Sequence, residues 1–340
     1  MTYKQNRSHR PWKIVAGCCC IQGSVLGLLV NCRGLFFEPV CADLGFNIGG
    51  FTAYGLFYGL ACVIAIPTAA KVLERYDLRV TLTLSSVFMA LVQALFGSFT
   101  RQWHWYAAAL QGMASAFLFS LTTPLLINNW FTQKRGMMLA ITGMSSGAVA
   151  AIMNPIGSMV IEQLGWRAGY RFFGLLFLLM TLPATIFWLR LRPKTAEPPS
   201  GGSRLSGFQG NVWRTIRQPG FLLLIVITGV ANLLTCCSQM LSSYGTAIGL
   251  TASACAMLLS LSMVGNVLLK LLLGAIHDLA NALTAVMVGI GLLSLGFLLM
   301  LTNGRGIMLS IASFLMGTPM AITTVIVPLL VSEFFGSDGY

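Results

Sequence analysis

The sequence predicts an all-α membrane protein of about ten crossing helices, a six-helix set followed by an incomplete four-helix copy of it. Three observations carry that expectation. Hydrophobic residues fill 56% of the 340 positions and charged residues 9%, against about 25% charge in a soluble domain, so the chain is integral to a bilayer. Landmarks recur 204 positions apart: Gly45 and Gly249, Glu74 and Asp278, Arg101 and Arg305, Pro124 and Pro328, Trp130-Phe131 and Phe334-Phe335. Basic residues gather on alternate sides of successive apolar runs.

A crossing helix needs about 20 apolar residues. Ten runs qualify, at roughly 12–37, 49–72, 80–99, 104–128, 137–161, 168–190, 219–243, 252–275, 282–301 and 306–331. The first follows a basic stretch, Met1 to Lys13, but is long and lacks a small-residue cleavage site. It reads as a membrane helix and not as a signal peptide. All seven tryptophans fall at run ends, the level where an apolar ring with a polar N–H meets water.

With the N-terminus in the cytoplasm, fifteen cations from Lys4 to Arg217 fall inside, and Arg101, Arg167, Arg171 and Arg305 fall outside. That bias orients a multi-pass protein of a cell (inner or plasma) membrane. It also accounts for the net charge of +12 without a nucleic-acid partner. The stretch 192–218 is polar and holds Pro193, Pro198, Pro199 and Gly201-Gly202. It reads as a cytoplasmic linker between an N-terminal bundle, 1–191, and an incomplete C-terminal one, 219–340. Both halves then start inside and are parallel repeats. Tyr340 corresponds to Gly136 of the first half, and a full second half would reach about position 395.

The nine cysteines sit mostly inside apolar runs, without CxxC or Cys/His spacing. Cys18, Cys19 and Cys20 point about 100° apart on a helix and cannot share a metal, so they read as small packing residues. No P-loop, carboxylate pair or nucleophile elbow appears, so neither an enzyme nor a cofactor is expected.

After the second run comes Ala70-Lys71-Val72-Leu73-Glu74-Arg75-Tyr76-Asp77-Leu78-Arg79. A small residue lets helix ends approach, and an acid with arginines can bridge to neighbouring helices and hold one conformation. The stretch resembles the major facilitator superfamily signature G-x-x-x-D-R-x-G-R-R, with Ala70, Glu74 and Asp77 as departures. The second copy keeps Gly274 and Asp278 and loses both arginines. The resemblance implies a gating role for Ala70, Glu74, Arg75, Arg79, Gly274 and Asp278. It also implies the bundle of that superfamily without the last two of its usual twelve helices.

Trp130-Phe131, Lys134-Arg135-Gly136, then Gly143, Gly147 and Ala151 at four-residue spacing, then Asn154-Pro155 and Gly165-Trp166-Arg167 follow in order. Small residues on one face allow close helix packing. The order of parts resembles the oxalate/formate and monocarboxylate porter branch. In the eighth run Asn266, Lys270 and Gly274 stand at i, i+4, i+8 on one face. A lysine at mid-helix costs about 2.5–3.5 kcal/mol on insertion scales. This branch often reads N-x-x-x-R-x-x-x-G-x-x-x-D there. Asn266, Gly274 and Asp278 match, and Lys270 stands for the arginine that attracts the anionic substrate. Lysine keeps the charge and loses the bidentate fork. The competing reading lets the Lys270 stem snorkel to the cytoplasmic interface.

Arg33 is a further candidate contact. Counted from Lys13 it falls near the outer surface, which favours a snorkelling or loop arginine pairing with Glu38 or Asp43. Glu162 and His277 read as loop residues and His104 as interfacial. The expected activity is secondary transport of a small organic anion, a mono- or dicarboxylate, by antiport or proton symport, through alternating access. Lys270 would attract the anion, Asn266 would hydrogen-bond it and Asn154 would shape the facing wall. The alternatives are a drug or sugar porter of the same fold and a non-transporting membrane receptor.

Overall fold

The computed structural model describes residues 10–131, 135–189, 219–302 and 306–327. All regular structure among them is helical. Spans long and apolar enough to cross a bilayer are Pro11–Leu44 (α1), Ile48–Leu73 (α2), Leu78–Ser98 (α3), Gln102–Ile127 (α4), Ala252–His277 (α8), Leu283–Leu301 (α9) and Ile307–Thr324 (α10). A further helix, Met137–Trp188, runs for 52 residues. Gly165 breaks it with φ 80° and ψ 162°, so it supplies α5 (137–164) and α6 (166–188). The pair Ile225–Gln239 and Leu241–Ala247 bends by 45° at Met240 and forms α7. The chain divides into two compact units, Met1–Lys194 and Thr195–Tyr340.

Local signals of the sequence end the helices at matched places in the two units. Gly45 (φ 67°) closes α1 and Gly249 (φ 81°) follows α7, both in the left-handed region that glycine tolerates. The next N–H bonds back five residues in each, Phe46 to Cys41 at 3.1 Å and Leu250 to Gly245 at 3.0 Å. Asn47 caps the start of the α2 segment, accepting from Gly49 N–H at 2.8 Å, and Thr251 caps α8 from Ala254 N–H at 3.3 Å. Asp77 caps α3, accepting from Arg79 N–H at 2.7 Å, and Asn281 caps α9 from Thr284 N–H at 2.8 Å. Each of these pairs is separated by the same 204 residues.

The first helix departs from expectation. It runs on to Leu44 instead of stopping near 37, through a π-helical stretch Gly23–Asn31 and past Pro39. Its end is the Gly45 cap, so Arg33 lies eleven residues, about 16 Å, short of the helix end. The α1–α5 contact also differs. Gly23 and Gly27 of α1, packed on Ser145, Ser146 and Val149, make the close approach. Gly147 is buried and Ala151 half-buried. A Cβ on Gly143, expected to carry such packing, would meet nothing within 4 Å, because α1 faces the adjacent stripe of α5.

One end of the first unit, where α1 closes and α6 begins, is held by an aromatic knot. Trp105 is fully buried, with its ring 4.8 Å from Phe96, 4.8 Å from Phe51 and 5.2 Å from Tyr170. Phe36 stacks on Tyr170 at 3.9 Å. Such pairs add about 0.5–1.5 kcal/mol each beyond area burial. Trp105 and Trp166, expected at the water interface, are therefore core residues; Trp12 and Trp103 stay exposed. Asp43 does not pair with Arg33. Its carboxylate accepts from Arg167 Nη1 at 2.7 Å and Trp166 Nε1 at 3.1 Å, tying the end of α1 to the start of α6. Glu162 is exposed but helical, not a loop residue, and accepts from Ser158 Oγ at 3.4 Å.

Candidate functional site

On α8 the four-residue spacing sets Ser262, Asn266 and Lys270 along one face, and all three are buried, at 0%, 0% and 5% exposure. The burial of Lys270 speaks against the snorkelling reading. The helix continues nine residues past it to Leu279, about 13 Å. Among the described residues the only ion pair is Arg167–Asp43, and none of their carboxylates pairs with the Lys270 ammonium. Asn266 donates from Nδ2 to the Met320 sulfur at 3.5 Å, a weak bond, and its buried Oδ1 has no protein partner.

A close helix contact holds this face. A Cβ on Gly265 would overlap the Phe314 carbonyl, and one on Gly317 would overlap Ser262 O and Asn266 N. The backbones of α8 and α10 therefore touch beside Asn266. The first unit repeats the device: a Cβ on Gly112 of α4 would overlap the carbonyl of Tyr58 of α2, 204 residues before Ser262. The sequence reading passed over Ser262, although the i, i+4 period that selected Asn266 and Lys270 also reaches it.

In the first unit, Asn154 is fully buried and neither its Nδ2 nor its Oδ1 has a protein partner. Residue n of α1 lies level with residue n + 122 of α5, as Cys19 with Ile141, Gly27 with Val149 and Leu35 with Gly157 show. That register sets Asn31, 2% exposed with an unpartnered Nδ2, level with Met153, within one residue of the height of Asn154. Pro155 follows inside the same helix. Each of these buried amides leaves a polar group unsatisfied in an apolar bundle, a costly arrangement without a ligand or water to bond. Arg33, placed by the sequence near the surface, faces the interior of this unit, its guanidinium carbon 5.5 Å from the ring centres of both Tyr54 and Tyr58.

Of the gating candidates, Ala70 and Glu74 lie in the helix Tyr54–Arg75, and Arg75 is exposed in its last turn. Gly274 is half-buried and Asp278 lies in the last turn of Ala252–Leu279. The side chains of Ala70, Glu74 and Asp278 fall outside the description. Arg79 bridges helices: its Nε donates to the Leu189 carbonyl at 3.0 Å, at the end of α6. A hydrogen bond from a charged donor contributes about 1.5–3 kcal/mol. Arg79→Ala is expected to lower the melting temperature of the detergent-purified protein by several degrees, while Arg75→Ala leaves it unchanged. Equal melting temperatures for the two variants would remove Arg79 from the support of α6. Asp77, which stands at the second glycine of the signature, has a plain local task as the α3 cap.

Residues 20–339 match the family model described as the Major Facilitator Superfamily. The chain belongs to that superfamily. Its helices superpose on the crystal structure of a point mutant of the nucleoside transporter NupG with a TM-score of 0.73. The match covers 95% of this chain and 82% of that one at 13% identity. On the D-xylose-proton symporter the TM-score is 0.60, over 95% and 82% of the two chains at 14% identity. These likenesses concern the fold. In sequence, this superfamily member is 23% identical over 232 residues to monocarboxylate transporter 4 of Rattus norvegicus, across 64% of this chain and 47% of that protein. The chain thus spans about half the length of the curated relatives it matches.

Proposed function

We propose that this superfamily member takes part in secondary transport of small organic anions, mono- or dicarboxylates, by antiport or proton symport. One observation carries the reading: Lys270, buried at 5% exposure on α8, has no acidic partner among the described residues. An uncompensated cation in a bilayer span marks a substrate or ion path by default, because its insertion cost is otherwise unrecovered. Lys270 attracts the carboxylate as a point charge. Asn266 turns its amide from the weak sulfur acceptor to a carboxylate oxygen. The weak likeness to a protein named monocarboxylate transporter 4 supports the same substrate class.

In alternating access, the anion moves only if it favours neither access state strongly. A single lysine suits that need, since it binds without the bidentate fork of arginine. Asn154 with Asn31, and Pro155 beside them, give the first unit its own polar groups, of a kind that also bonds a carboxylate. Arg75, Glu74 and Asp278 at helix ends bias the access states. The protein works in a cell membrane with its N-terminus in the cytoplasm.

Counterflow in proteoliposomes tests the reading. Labelled lactate, formate and oxalate should accumulate against unlabelled internal carboxylate, and labelled nucleoside and xylose should not. Accumulation of a neutral sugar or nucleoside with no carboxylate signal would replace this reading with that of a neutral-solute porter.

A further inference from the structure

One atom of the α8 face has no task in binding a bare carboxylate. The Oδ1 of Asn266 is buried and has no protein partner. An amide oxygen accepts and a carboxylate oxygen accepts, so the two do not bond each other. The other end of the amide fixes which atom is which. Nδ2 donates to the Met320 sulfur at 3.5 Å, and a thioether only accepts, so turning the group over would set oxygen against sulfur.

The donors described around that oxygen are committed elsewhere. The hydroxyls of α8 and α10 give their protons to carbonyls of their own helices: Ser262 to Leu259 at 2.8 Å, Thr318 to Leu315 at 2.6 Å, and Thr323 and Thr324 to Met320 at 3.1 and 2.7 Å. Lys270, one turn along α8, makes no bond to it. A buried acceptor left unmet is costly, and a ligand that brings a donor recovers the cost.

Three complementary groups thus share one face: the Lys270 cation, the Asn266 amide donor and the Asn266 amide acceptor. Residues four apart on a helix hold their Cβ atoms about 5–6 Å apart, so one small ligand can meet both side chains. A carboxylate with a hydroxyl on the adjacent carbon answers all three. One carboxylate oxygen faces the ammonium, the other accepts from Nδ2, and the hydroxyl donates to Oδ1. A 2-oxo acid presents an acceptor where Oδ1 requires a donor, and an unsubstituted acid presents a C–H.

We propose that the α8 face selects 2-hydroxy carboxylates over their 2-oxo and unsubstituted counterparts, through the carboxamide of Asn266. This selectivity rests on the transport reading proposed for the same site.

Counterflow of lactate, pyruvate and propionate tests it, since these three-carbon acids differ only at the second carbon. In wild-type proteoliposomes kcat/KM for lactate should exceed that of either other acid about tenfold or more, the effect of one hydrogen bond to a buried acceptor. Asn266→Leu keeps the bulk and removes both amide groups. It should exchange all three acids slowly and bring their rates within about twofold of one another. Where its exchange falls below detection, the saturable rise in melting temperature with each acid reads the same preference as a ratio of half-saturating concentrations. Should Asn266→Leu not fold, Asn266→Ser replaces it, with a hydroxyl that can turn to a helix carbonyl as that of Ser262 does. Equal wild-type rates for the three acids would overturn the selectivity and leave the carboxylate reading standing. A lactate preference that survives the loss of the carboxamide would overturn the role of Asn266. Exchange of none of the three, with a neutral solute carried instead, would remove the transport reading and the selectivity together.

Discussion

Lys270→Gln proteoliposomes are expected to exchange labelled carboxylate at least about 100-fold more slowly than wild type, measured as kcat/KM in counterflow. Glutamine is close to lysine in reach and hydrogen-bonds an anion, but it carries no charge. The loss therefore reports the charge alone. Lys270→Arg should retain a measurable part of the rate, with a lowered KM if the fork binds more tightly than the point charge. The control comes from stability. Lys270 is buried at 5% exposure with no acidic partner among the described residues, so replacing it relieves a penalty of about 2.5–3.5 kcal/mol. The Gln variant should melt at the wild-type temperature or above it. A variant that melts lower and transports less would show that Lys270 supports the fold, and its transport role would lapse.

The second large effect concerns the backbone contact beside Asn266. A Cβ on Gly265 would overlap the Phe314 carbonyl, and main chain cannot rotate aside as a side chain can. Gly265→Val is expected to destabilise by more than about 3 kcal/mol, seen as loss of the monodisperse peak in size-exclusion chromatography of the solubilised protein. Gly112→Val should do the same in the first unit, where the Tyr58 carbonyl occupies the place. Gly143→Ala and Gly291→Ala provide the contrast. Both positions face open space, and alanine favours a helix over glycine by about 1 kcal/mol, so these proteins should be as stable as wild type or more so. A well-behaved Gly265→Val protein would mean that α8 and α10 do not touch as described.

Much of this was legible in the chain, for physical reasons. Gly45 and Gly249 were visible as repeat landmarks because a left-handed cap admits little but glycine. The caps Asn47, Thr251, Asp77 and Asn281 recur at the same offset and were equally readable, but their identities differ between copies and hide the match. Lys270 stood out because charge is rare in an apolar run, and its burial agrees with a place off the lipid face.

Arg33 was placed by its distance along the helix from Lys13, which carries no sign of where that helix ends; the helix runs past Pro39 to the glycine cap six residues on. Trp105 and Trp166 were misread because a tryptophan at a helix end looks the same in sequence whether it meets headgroups or other rings. The glycine stripe of α5 failed at Gly143 since spacing reports which residues share a face, not which face a neighbour meets. The expected landmarks Arg305, Pro328 and Phe334-Phe335 lie outside the described residues.

The central claim is that a transported carboxylate sits on the Lys270 ammonium. Peptide-resolved reductive methylation of lysines, with and without saturating carboxylate, tests it most directly. The account predicts that a carboxylate shown to exchange slows methylation of Lys270 severalfold while Lys71 is unaffected. An unchanged Lys270 rate in the presence of that same anion would contradict it.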